Sequence, residues 1–327
     1  MSHSITLTEQ LLSAAADSTR FTILRCLQSD SFSVSELCEI LAMKQPAVSH
    51  HLKLLLEARL IAVQREGVAS FYRRGAVTAF EERAALVSAL FSALDEELLD
   101  EQIEERIAGV KQERSRRARE FFNKHRDVLS ETQELIAAPE QYLPVVIEMI
   151  EQLVSCDSGA TAVEIGSGRG VLIPTLLSHF PSVVVIDVAE EMLRLAGQSI
   201  PEGLEDRVSL IHGDSSSARS AGVKADLIIC TMVLHHVPSP ADIFRDSAAI
   251  LKAGGSLIVA DLCRHEQTWA IERCGDMWLG FDPIELTGFA ERVGLIEKES
   301  AYFGLRNGFQ VQVRRFIAPS SETRTDI

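Results

Sequence analysis

The stretch Val163-Glu-Ile-Gly-Ser-Gly-Arg-Gly170 decides the fold of the C-terminal part of this 327-residue chain. An apolar run that contains an acid and leads into glycines predicts a buried strand followed by a tight turn into a helix. Two later apolar runs also end in acids, Asp187 after VVVI and Asp214 after VSLIHG. Acids at the ends of successive parallel strands meet at one edge of a sheet, so the spacing predicts a single ligand site there.

Strand-like and helix-like runs alternate over residues 139–318. The strand-like runs are TAVEIG, SVVVIDV, VSLIHGD, DLIICTMVL and GSLIVADL, and amphipathic runs such as EEMLRLAGQSI and PADIFRDSAAIL lie between them. This alternation predicts an α/β fold, with a parallel sheet and helices on both faces. The runs LTGFAERVGL and FQVQVRRFIA predict one more helix and closing strands.

The spacing of the glycines distinguishes a nicotinamide-dinucleotide site from another kind of nucleotide-cofactor site. A nicotinamide site has the pattern GxGxxG, whereas this chain has GxGxG with an acid two residues before it. Together with TMVLHHV (231–237) and LKAGGSLIVAD (251–261), the stretch resembles class I methyltransferases of the ubiquinone- and biotin-pathway type. That resemblance implies a Rossmann-like domain that binds S-adenosylmethionine (SAM) or S-adenosylhomocysteine (SAH).

The resemblance also assigns parts of the cofactor to residues. Glu164 is expected near the methionyl amine, Asp187 at the ribose hydroxyls, and Asp214 with Ser215 at the adenine amino group. The full expected set is Glu164, Gly166, Ser167, Gly168, Gly170, Asp187, Val188, Asp214, Ser215, Leu234 and His235.

Polar residues near the expected strand ends are the candidates for a general base: His235, His236, Asp261 and His265. Each histidine can equally be a packed or capping residue. The cysteines of this part of the chain, Cys156, Cys230, Cys263 and Cys274, show no converging spacing, so no thiol acceptor chemistry is expected.

Residues 1–76 have a different pattern. Helical periodicity appears in DSTRFTILRCL (17–27), with Asp17 as N-cap, then in SVSELCEILAM (33–43) and QPAVSHHLKLLLEARL (45–60). Two β-patterned runs follow over 61–74, around Glu66-Gly67, and predict a hairpin. Three helices and a basic hairpin indicate a winged helix-turn-helix. The expected core positions are Phe21, Leu24, Leu27, Val34, Leu37, Ile40, Leu41, Val48, Leu52, Leu55 and Leu56.

Residues 10–75 resemble the ArsR family of bacterial regulators. The resemblance implies a homodimer that places the 45–56 helix in the major groove of double-stranded DNA and the hairpin against the backbone or minor groove. Candidate DNA contacts are Gln45, Ser49, His50, Lys53, Arg65, Arg73 and Arg74; a solvated face is the alternative for each. Metal-sensing members carry paired cysteines in this region, but ELCEIL has only Cys38, so no metal is expected.

Leucine and isoleucine recur at helical spacing over residues 77–138, which predicts one long helix or two. The segment is either a solvated helix with internal ion pairs or a dimerisation and linker segment. The expected organisation is a DNA-binding domain at 1–76, this helical segment at 77–138, the SAM-binding domain at 139–318 and a disordered tail at 319–327.

The net charge of −15 does not exclude a nucleic-acid partner, because it is unevenly distributed. Residues 1–76 carry about +1 and the remainder about −16, so repulsion from phosphate comes from the later part. The start MSHSITLTEQ lacks the features of a signal peptide, and no apolar run is long enough to span a membrane. A cytoplasmic chain with reduced cysteines is expected.

Two functions follow from these patterns. In the first, the chain is a DNA-binding transcriptional regulator, a repressor, whose methyltransferase-like domain takes SAM or SAH as effector. The combined resemblance, to repressors of methionine-cycle genes that respond to SAH, implies this function. In the second, the domain is an active methyltransferase of a small molecule and carries a DNA-binding domain.

Overall fold

The computed structural model describes residues 2–28, 30–66, 69–75, 77, 80, 83–153 and 159–320. It divides into two compact units, residues 1–116 and 117–327, and each is treated by itself below. Residues 321–327 of the expected tail lie outside the described residues, as does Gly67 of the expected hairpin turn. Among the residues described, no helix is both long and apolar enough to cross a membrane.

The first unit contains the predicted winged helix-turn-helix. Its elements are α1 (Ser2–Ala15), α2 (Ser18–Cys26), β1 (Phe32–Ser33), α3 (Val34–Leu41), α4 (Gln45–Glu57), β2 (Ile61–Glu66), β3 (Ala69–Arg74), α5 (Ala84–Glu96) and α6 (Glu101–Ile136), which continues into the second unit. The three strands form one antiparallel sheet in the order β1-β3-β2. The predicted three helices followed by a hairpin are therefore confirmed.

Local signals set the starts of these helices. Asp17 is the N-cap of α2 and accepts a hydrogen bond from the backbone N–H of Arg20 at 3.0 Å. Ser33 and Glu36 form a capping box at the start of α3, which satisfies two backbone donors. The expected core positions lie inside: Leu24, Leu27, Leu37, Ile40, Val48, Leu52 and Leu55 are buried, and Phe21, Val34, Leu41 and Leu56 are partly buried.

The helices after the hairpin pack on this core. Val87, Phe91 and Leu94 of α5 and Val110 of α6 belong to the same buried cluster. The prediction of one helix or two over 77–138 resolves into two helices. The predicted domain limits at 76 and 138 stay a prediction.

The second unit is built on a seven-stranded sheet. Its elements are α7 (Pro139–Glu151), β4 (Thr161–Ile165), α8 (Ile173–His179), β5 (Ser182–Asp187), α9 (Glu190–Gln198), β6 (Val208–His212), α10 (Ser215–Ser220), β7 (Ala225–Thr231), α11 (Pro240–Ile250), β8 (Leu251–Leu262), α12 (Trp269–Cys274), α13 (Pro283–Arg292), β9 (Ile296–Gly304) and β10 (Gln310–Ile317).

The strand order is β6-β5-β4-β7-β8-β10-β9, and β10 runs antiparallel to both of its neighbours. The chain proceeds outward from β4 through β5 to β6, and then returns to β7 on the other side of β4. The order therefore reverses between β4 and β7, which is where open α/β sheets bind ligands. The predicted Rossmann-like methyltransferase fold is confirmed, with the glycine stretch at this point.

Candidate cofactor site and nucleic-acid interface

The loop after β4, residues 166–170 (the glycine loop), has a backbone that only glycine adopts easily. Gly166, Gly168 and Gly170 have φ angles of +71°, +51° and +73°. A Cβ at Gly166 would lie 2.3 Å from Val233, and one at Gly170 would lie 2.8 Å from the Cα of Ala196. A Cβ at Gly168 would meet no atom of the described residues within 4 Å. Gly166 and Gly170 therefore permit close packing, whereas Gly168 leaves open space that a ligand can approach.

Glu164, on β4 just before the loop, is a buried carboxyl with a free acceptor. Its side chain is 2 % exposed, and its Oε2 atom has no hydrogen-bond partner within the described part of the chain. Burial, and secondarily the charge of Asp187, raises the pKa of Glu164 to about 8. A buried acceptor without a partner is costly, and a cationic donor that binds beside it relieves that cost.

Asp187 ends β5 as predicted and lies next to the glycine loop. It is 9 % exposed and accepts a hydrogen bond from the N–H of Ala189 at 2.9 Å, with further backbone bonds from Gly168 and Ser167. Burial is the main cause that raises its pKa, and the backbone donors oppose it. The apolar side chain of Val188 beside it is 46 % exposed. The pair therefore offers a carboxylate and an exposed apolar surface at one strand end.

The side chains of Asp214 and Ser215 differ in exposure and in their hydrogen-bond partners. Asp214 is exposed and caps α10, accepting hydrogen bonds from the backbone N–H and the hydroxyl of Ser216 at 3.1 and 2.6 Å. The Ser215 side chain is buried and donates to Asp246 at 2.7 Å. The Ser215 hydroxyl donor is therefore used inside the domain, and the expected recognition of the adenine amino group by Asp214 with Ser215 stays a prediction.

The predicted pocket residues Leu234 and His235 lie in a short 3₁₀ turn after β7 and are 0 % and 2 % exposed. Asp261, at the end of β8, holds both residues in place. Its carboxylate accepts a hydrogen bond from the N–H of Leu234 at 2.8 Å and contacts Nδ1 of His235 at 2.8 Å. Both side chains are therefore buried, and the expectation that they line the cofactor pocket stays a prediction. Met232, just before the turn, is partly exposed.

Three of the four catalytic candidates come together. Burial lowers the pKa of His235, but Asp261 and Asp276 raise it to about 9, so that His235 is protonated at neutral pH. The His236 ring lies 4.0 Å from the His235 ring, centroid to centroid, and burial lowers its pKa well below the usual value. Neither is an accessible base in this state.

His265 is placed differently. Its Nδ1 accepts from the N–H of Gln267 at 3.2 Å, and its ring lies against Phe309. Burial, together with the nearby His235, lowers its pKa to about 4. It is a packed, neutral histidine.

Two residues of this region were missed by the sequence reasoning. Tyr142 of α7 is 7 % exposed, hydrogen-bonds to the side chain of Thr231 and lies near Glu164, and its pKa is raised to about 12, chiefly by burial. Asp276 is 2 % exposed and approaches His236, with Oδ1 3.7 Å from Nδ1. Tyr142 looks like any aromatic of an amphipathic helix, and Asp276 is far from the histidines in sequence, so no local signal marks either.

The helix α4 presents the predicted polar face. Gln45, Ser49, His50 and Lys53 are all exposed, while Val48, Leu52 and Leu55 are buried on the opposite side. The Lys53 side chain is 74 % exposed, and its contact with Glu57 is a long 3.9 Å. At the start of α4, Lys44 makes no side-chain cap hydrogen bond.

The basic residues of the hairpin divide into two groups. Arg65 is exposed and Arg73 is partly exposed, as expected for a wing. Arg74 instead lies inside: it pairs with Asp95 of α5 at 2.7 Å, donates to the carbonyl of Leu24 at 2.7 Å and lies over the Phe91 ring. The assignment of Arg74 as a phosphate contact is corrected, because its charge is used to hold α5 to the hairpin.

Comparison with known proteins identifies both regions. The family described as bacterial regulatory protein, arsR family, matches residues 17–63, and the family described as methyltransferase domain matches residues 163–259. The chain joins an ArsR-family helix-turn-helix domain to a class I methyltransferase domain.

Individual methyltransferases match part of this chain. A ubiquinone biosynthesis O-methyltransferase of Ralstonia nicotianae is 28 % identical over 152 residues, which are 42 % of this chain and 63 % of the relative. One of Xanthomonas axonopodis pv. citri is 29 % identical over 166 residues, 46 % of this chain and 69 % of the relative. The crystal structure of the N-methyltransferase NodS from Bradyrhizobium japonicum WM9 has a TM-score of 0.43 at 19 % identity, covering 55 % of this chain and 97 % of that one.

The methyltransferase domain implies SAM or SAH binding, and its residues fit that ligand. Glu164 provides an acceptor without a partner, Gly168 leaves open space, and Asp187 places a carboxylate beside the glycine loop. These match the three things the cofactor needs: an anion for its ammonium group, close backbone approach, and acceptors for ribose hydroxyls.

Proposed function

We propose that this chain is a DNA-binding transcriptional regulator, acting as a repressor, whose methyltransferase domain binds SAM or SAH as its effector. The observation that carries the proposal is the fully exposed polar face of α4 in an ArsR-type domain that shares a chain with an intact cofactor site. A cytoplasmic location is part of the proposal, because both the operator and the cofactor are found there.

The DNA-binding surface of the proposed regulator is α4 with the exposed part of the hairpin. Ser49 and His50 lie near the start of α4, where base edges are usually reached, and Gln45 and Lys53 flank them. Arg65 and Arg73, which the register puts on opposite faces of the hairpin, are its proposed phosphate contacts. Phosphate contacts supply most of the affinity and base contacts supply the specificity.

The proposal includes a homodimer, which presents two copies of this DNA-binding surface. An open apolar groove on the surface between α1, α2 and α5 is lined by Leu12, Ala15, Phe21 and Leu90 among others. Leu12 is 49 % exposed and Leu86 of α5 is 37 % exposed. A second copy that covers these residues removes apolar surface from water and pairs two reading helices for a two-fold symmetric operator.

The effector role requires that SAM or SAH binds the DNA-competent and DNA-incompetent states with different affinity. A coupling free energy of ~1–3 kcal/mol changes operator affinity roughly 5- to 150-fold, and by linkage the operator changes cofactor affinity by the same factor. We expect SAH to weaken operator binding, because the chain resembles repressors that are released as SAH accumulates.

The test is the operator affinity of the full chain, measured by fluorescence anisotropy with DNA from upstream of its own gene, with SAM, with SAH and without either. Asp187→Ala should abolish the ligand effect and leave basal DNA binding intact. Asp206 is an exposed acid in the turn directly before β6, and Asp206→Ala is the matched control. Equal operator affinity under all three conditions would contradict the effector role.

An active methyltransferase is the second candidate, and one observation favours it. The buried His235–Asp261 pair lies at the carboxyl ends of β7 and β8, within the electrostatic reach of residues beside the cofactor site. Such pairs orient an imidazole for proton transfer in enzymes. Methyl transfer from labelled SAM to a small hydroxyl- or amine-bearing acceptor, lost in Asp261→Asn, would support this candidate.

A further inference from the structure

Two consecutive histidines and a distant acid form a buried group in the second unit. His235 and His236 occupy the turn after β7, and Asp276 follows α12. Their exposed fractions are 2 %, 9 % and 2 %. One potential ligand atom from each lies within 4.8 Å of the other two. We call these three residues the His-Asp cluster.

The distances within the cluster suit a shared metal ion. Nδ1 of His236 and Oδ1 of Asp276 are 3.7 Å apart. Two atoms that each lie ~2.1 Å from one metal are separated by ~3–4 Å, so this pair needs little movement to bind the same ion. Nδ1 of His236 also contacts the carbonyl of Gly275 at a long 3.4 Å.

Asp261 holds His235 in one orientation. It contacts Nδ1 of His235 at 2.8 Å, and it is fixed in turn by the N–H groups of Leu234 and Leu262, both at 2.8 Å. The Nε2 atom of His235 is therefore the proposed ligand atom, and the metal displaces the proton that His235 otherwise carries at neutral pH. Metal-binding histidines typically have their second nitrogen bonded to a carboxylate in this way.

Backbone hydrogen bonds join the turn that carries the two histidines to the segment that carries Asp276. The carbonyl of His235 accepts hydrogen bonds from the N–H groups of Met277 and Trp278, at 2.8 and 3.2 Å. The Trp278 indole also donates to the carbonyl of Val237 at 2.8 Å. These bonds fix the segment that carries Asp276 against the histidine turn, so the ligand positions are pre-arranged.

We propose that the His-Asp cluster binds one divalent transition-metal ion of the zinc type through two imidazoles and one carboxylate. Two histidines with one carboxylate form the protein ligands of many catalytic zinc and non-haem iron sites, which leave positions open for water or a substrate oxygen. A divalent cation also offsets the buried carboxylates of Asp261 and Asp276, and buried charges are normally paired or bound to metals. The proposal rests on neither DNA nor cofactor binding.

The test is calorimetric titration of Zn²⁺ into the full chain after treatment with a chelator. One equivalent should bind to the wild-type protein. Asp276→Asn keeps the size of the side chain and removes its charge, and it should weaken binding at least about 100-fold; Asp261→Asn should weaken it about 10- to 100-fold. Asp226→Asn, an acid of the same unit that pairs with Lys252, is the matched control and should bind like wild type.

A second measurement covers the case in which a variant fails to fold. Co²⁺ bound to the wild-type chain should give the absorption of a nitrogen- and oxygen-ligated ion without a thiolate charge-transfer band. His236→Gln should remove that absorption, and His179→Gln, at the end of α8, should not. The proposal is overturned by the lack of stoichiometric binding, by binding that survives both Asp276→Asn and His236→Gln, or by a thiolate band.

Discussion

The unpartnered carboxyl of Glu164 makes cofactor binding depend on pH in a way that can be calculated. With a pKa of about 8, Glu164 is about nine-tenths protonated at pH 7 in the ligand-free chain. An ammonium group that binds beside it needs the ionised form. Ionising Glu164 at pH 7 costs about 1.4 kcal/mol, which is about tenfold in affinity.

Three groups near Glu164 decide whether it titrates alone. Asp187 is the charged neighbour that helps to raise its pKa. Cys230, on the adjacent strand β7, has its pKa raised well above the usual value by burial, and Tyr142 has a pKa of about 12. Both stay neutral near pH 7. The affinity for SAM or SAH should therefore rise about tenfold per pH unit from about pH 6 to 7.5, with about 0.9 proton released per ligand at pH 7.

Calorimetric titration of the full chain in two buffers of different ionisation enthalpy measures both quantities. Glu164→Gln preserves the shape of the side chain and should abolish the proton release and the pH dependence. Glu285→Gln, at another buried carboxyl of the same unit, should leave both unchanged. Cofactor binding by the wild-type chain with equal affinity at pH 6 and 7.5 and with no proton release would refute the reasoning.

Four further predictions concern other residues. Asp187→Ala should weaken SAM and SAH binding by ~2–4 kcal/mol in calorimetry, because ribose hydroxyls lose their acceptor; wild-type affinity would mean that the ribose site is misassigned. Lys53→Ala should lower the salt slope of operator binding by about one unit in anisotropy titrations, and Lys298→Ala, exposed on β9, should not. Arg74→Ala should lower the melting temperature and leave the salt slope of operator binding unchanged, because Arg74 pairs with Asp95; a lower slope would restore it as a phosphate contact. Arg114→Ala should speed hydrogen exchange in α3, since Arg114 makes two 2.7 Å bonds to Glu36, whereas Arg116→Ala removes an exposed pair with Glu113 on α6 and should have little effect on α3.

The arrangement of the cofactor site was largely predictable, because it depends on local pattern. Glycines beside an acid at a strand end, and a second acid at the end of the next strand, place Glu164, Gly168 and Asp187 at one sheet edge in any parallel α/β fold. The core positions of α3 and α4 followed from helical periodicity in the same way.

The placement of Arg74 depends on tertiary contacts. By the hairpin register Arg74 lies on the same face as Ile61, which is buried, and as Val63 and Arg65, which are exposed. Strand alternation alone therefore does not show that Arg74 pairs with Asp95 of α5 and donates to the carbonyl of Leu24.

The residues that sequence reasoning missed depend on contacts between distant segments. Asp276 joins His236 only because Met277 and Trp278 bond to the carbonyl of His235, and nothing in the intervening sequence signals that contact. The inward turn of Leu234 likewise depends on Asp261, which lies one strand and one helix later in the chain. Such contacts are set by tertiary packing, and periodicity carries no information about them.

Glu164 also makes the stability of the ligand-free chain depend on pH. Its pKa in the folded chain is above the ordinary value, so the folded state binds more protons than the unfolded state between about pH 4.5 and 8. Ligand-free stability therefore falls as the pH rises through that window and levels off above it. At neutral pH the penalty is about 3 kcal/mol, and a cationic ligand beside Glu164 removes part of it.

The helix α6 carries anchors in both units. In the first half of α6, the Arg114 side chain donates hydrogen bonds to Glu36 of α3 and to the carbonyl of Ser31. At its last residue, the carbonyl of Ile136 accepts a hydrogen bond from Asn307 at 2.8 Å. The proposed function requires two states of the chain that the cofactor binds with unequal affinity, and α6 is the segment with contacts in both units.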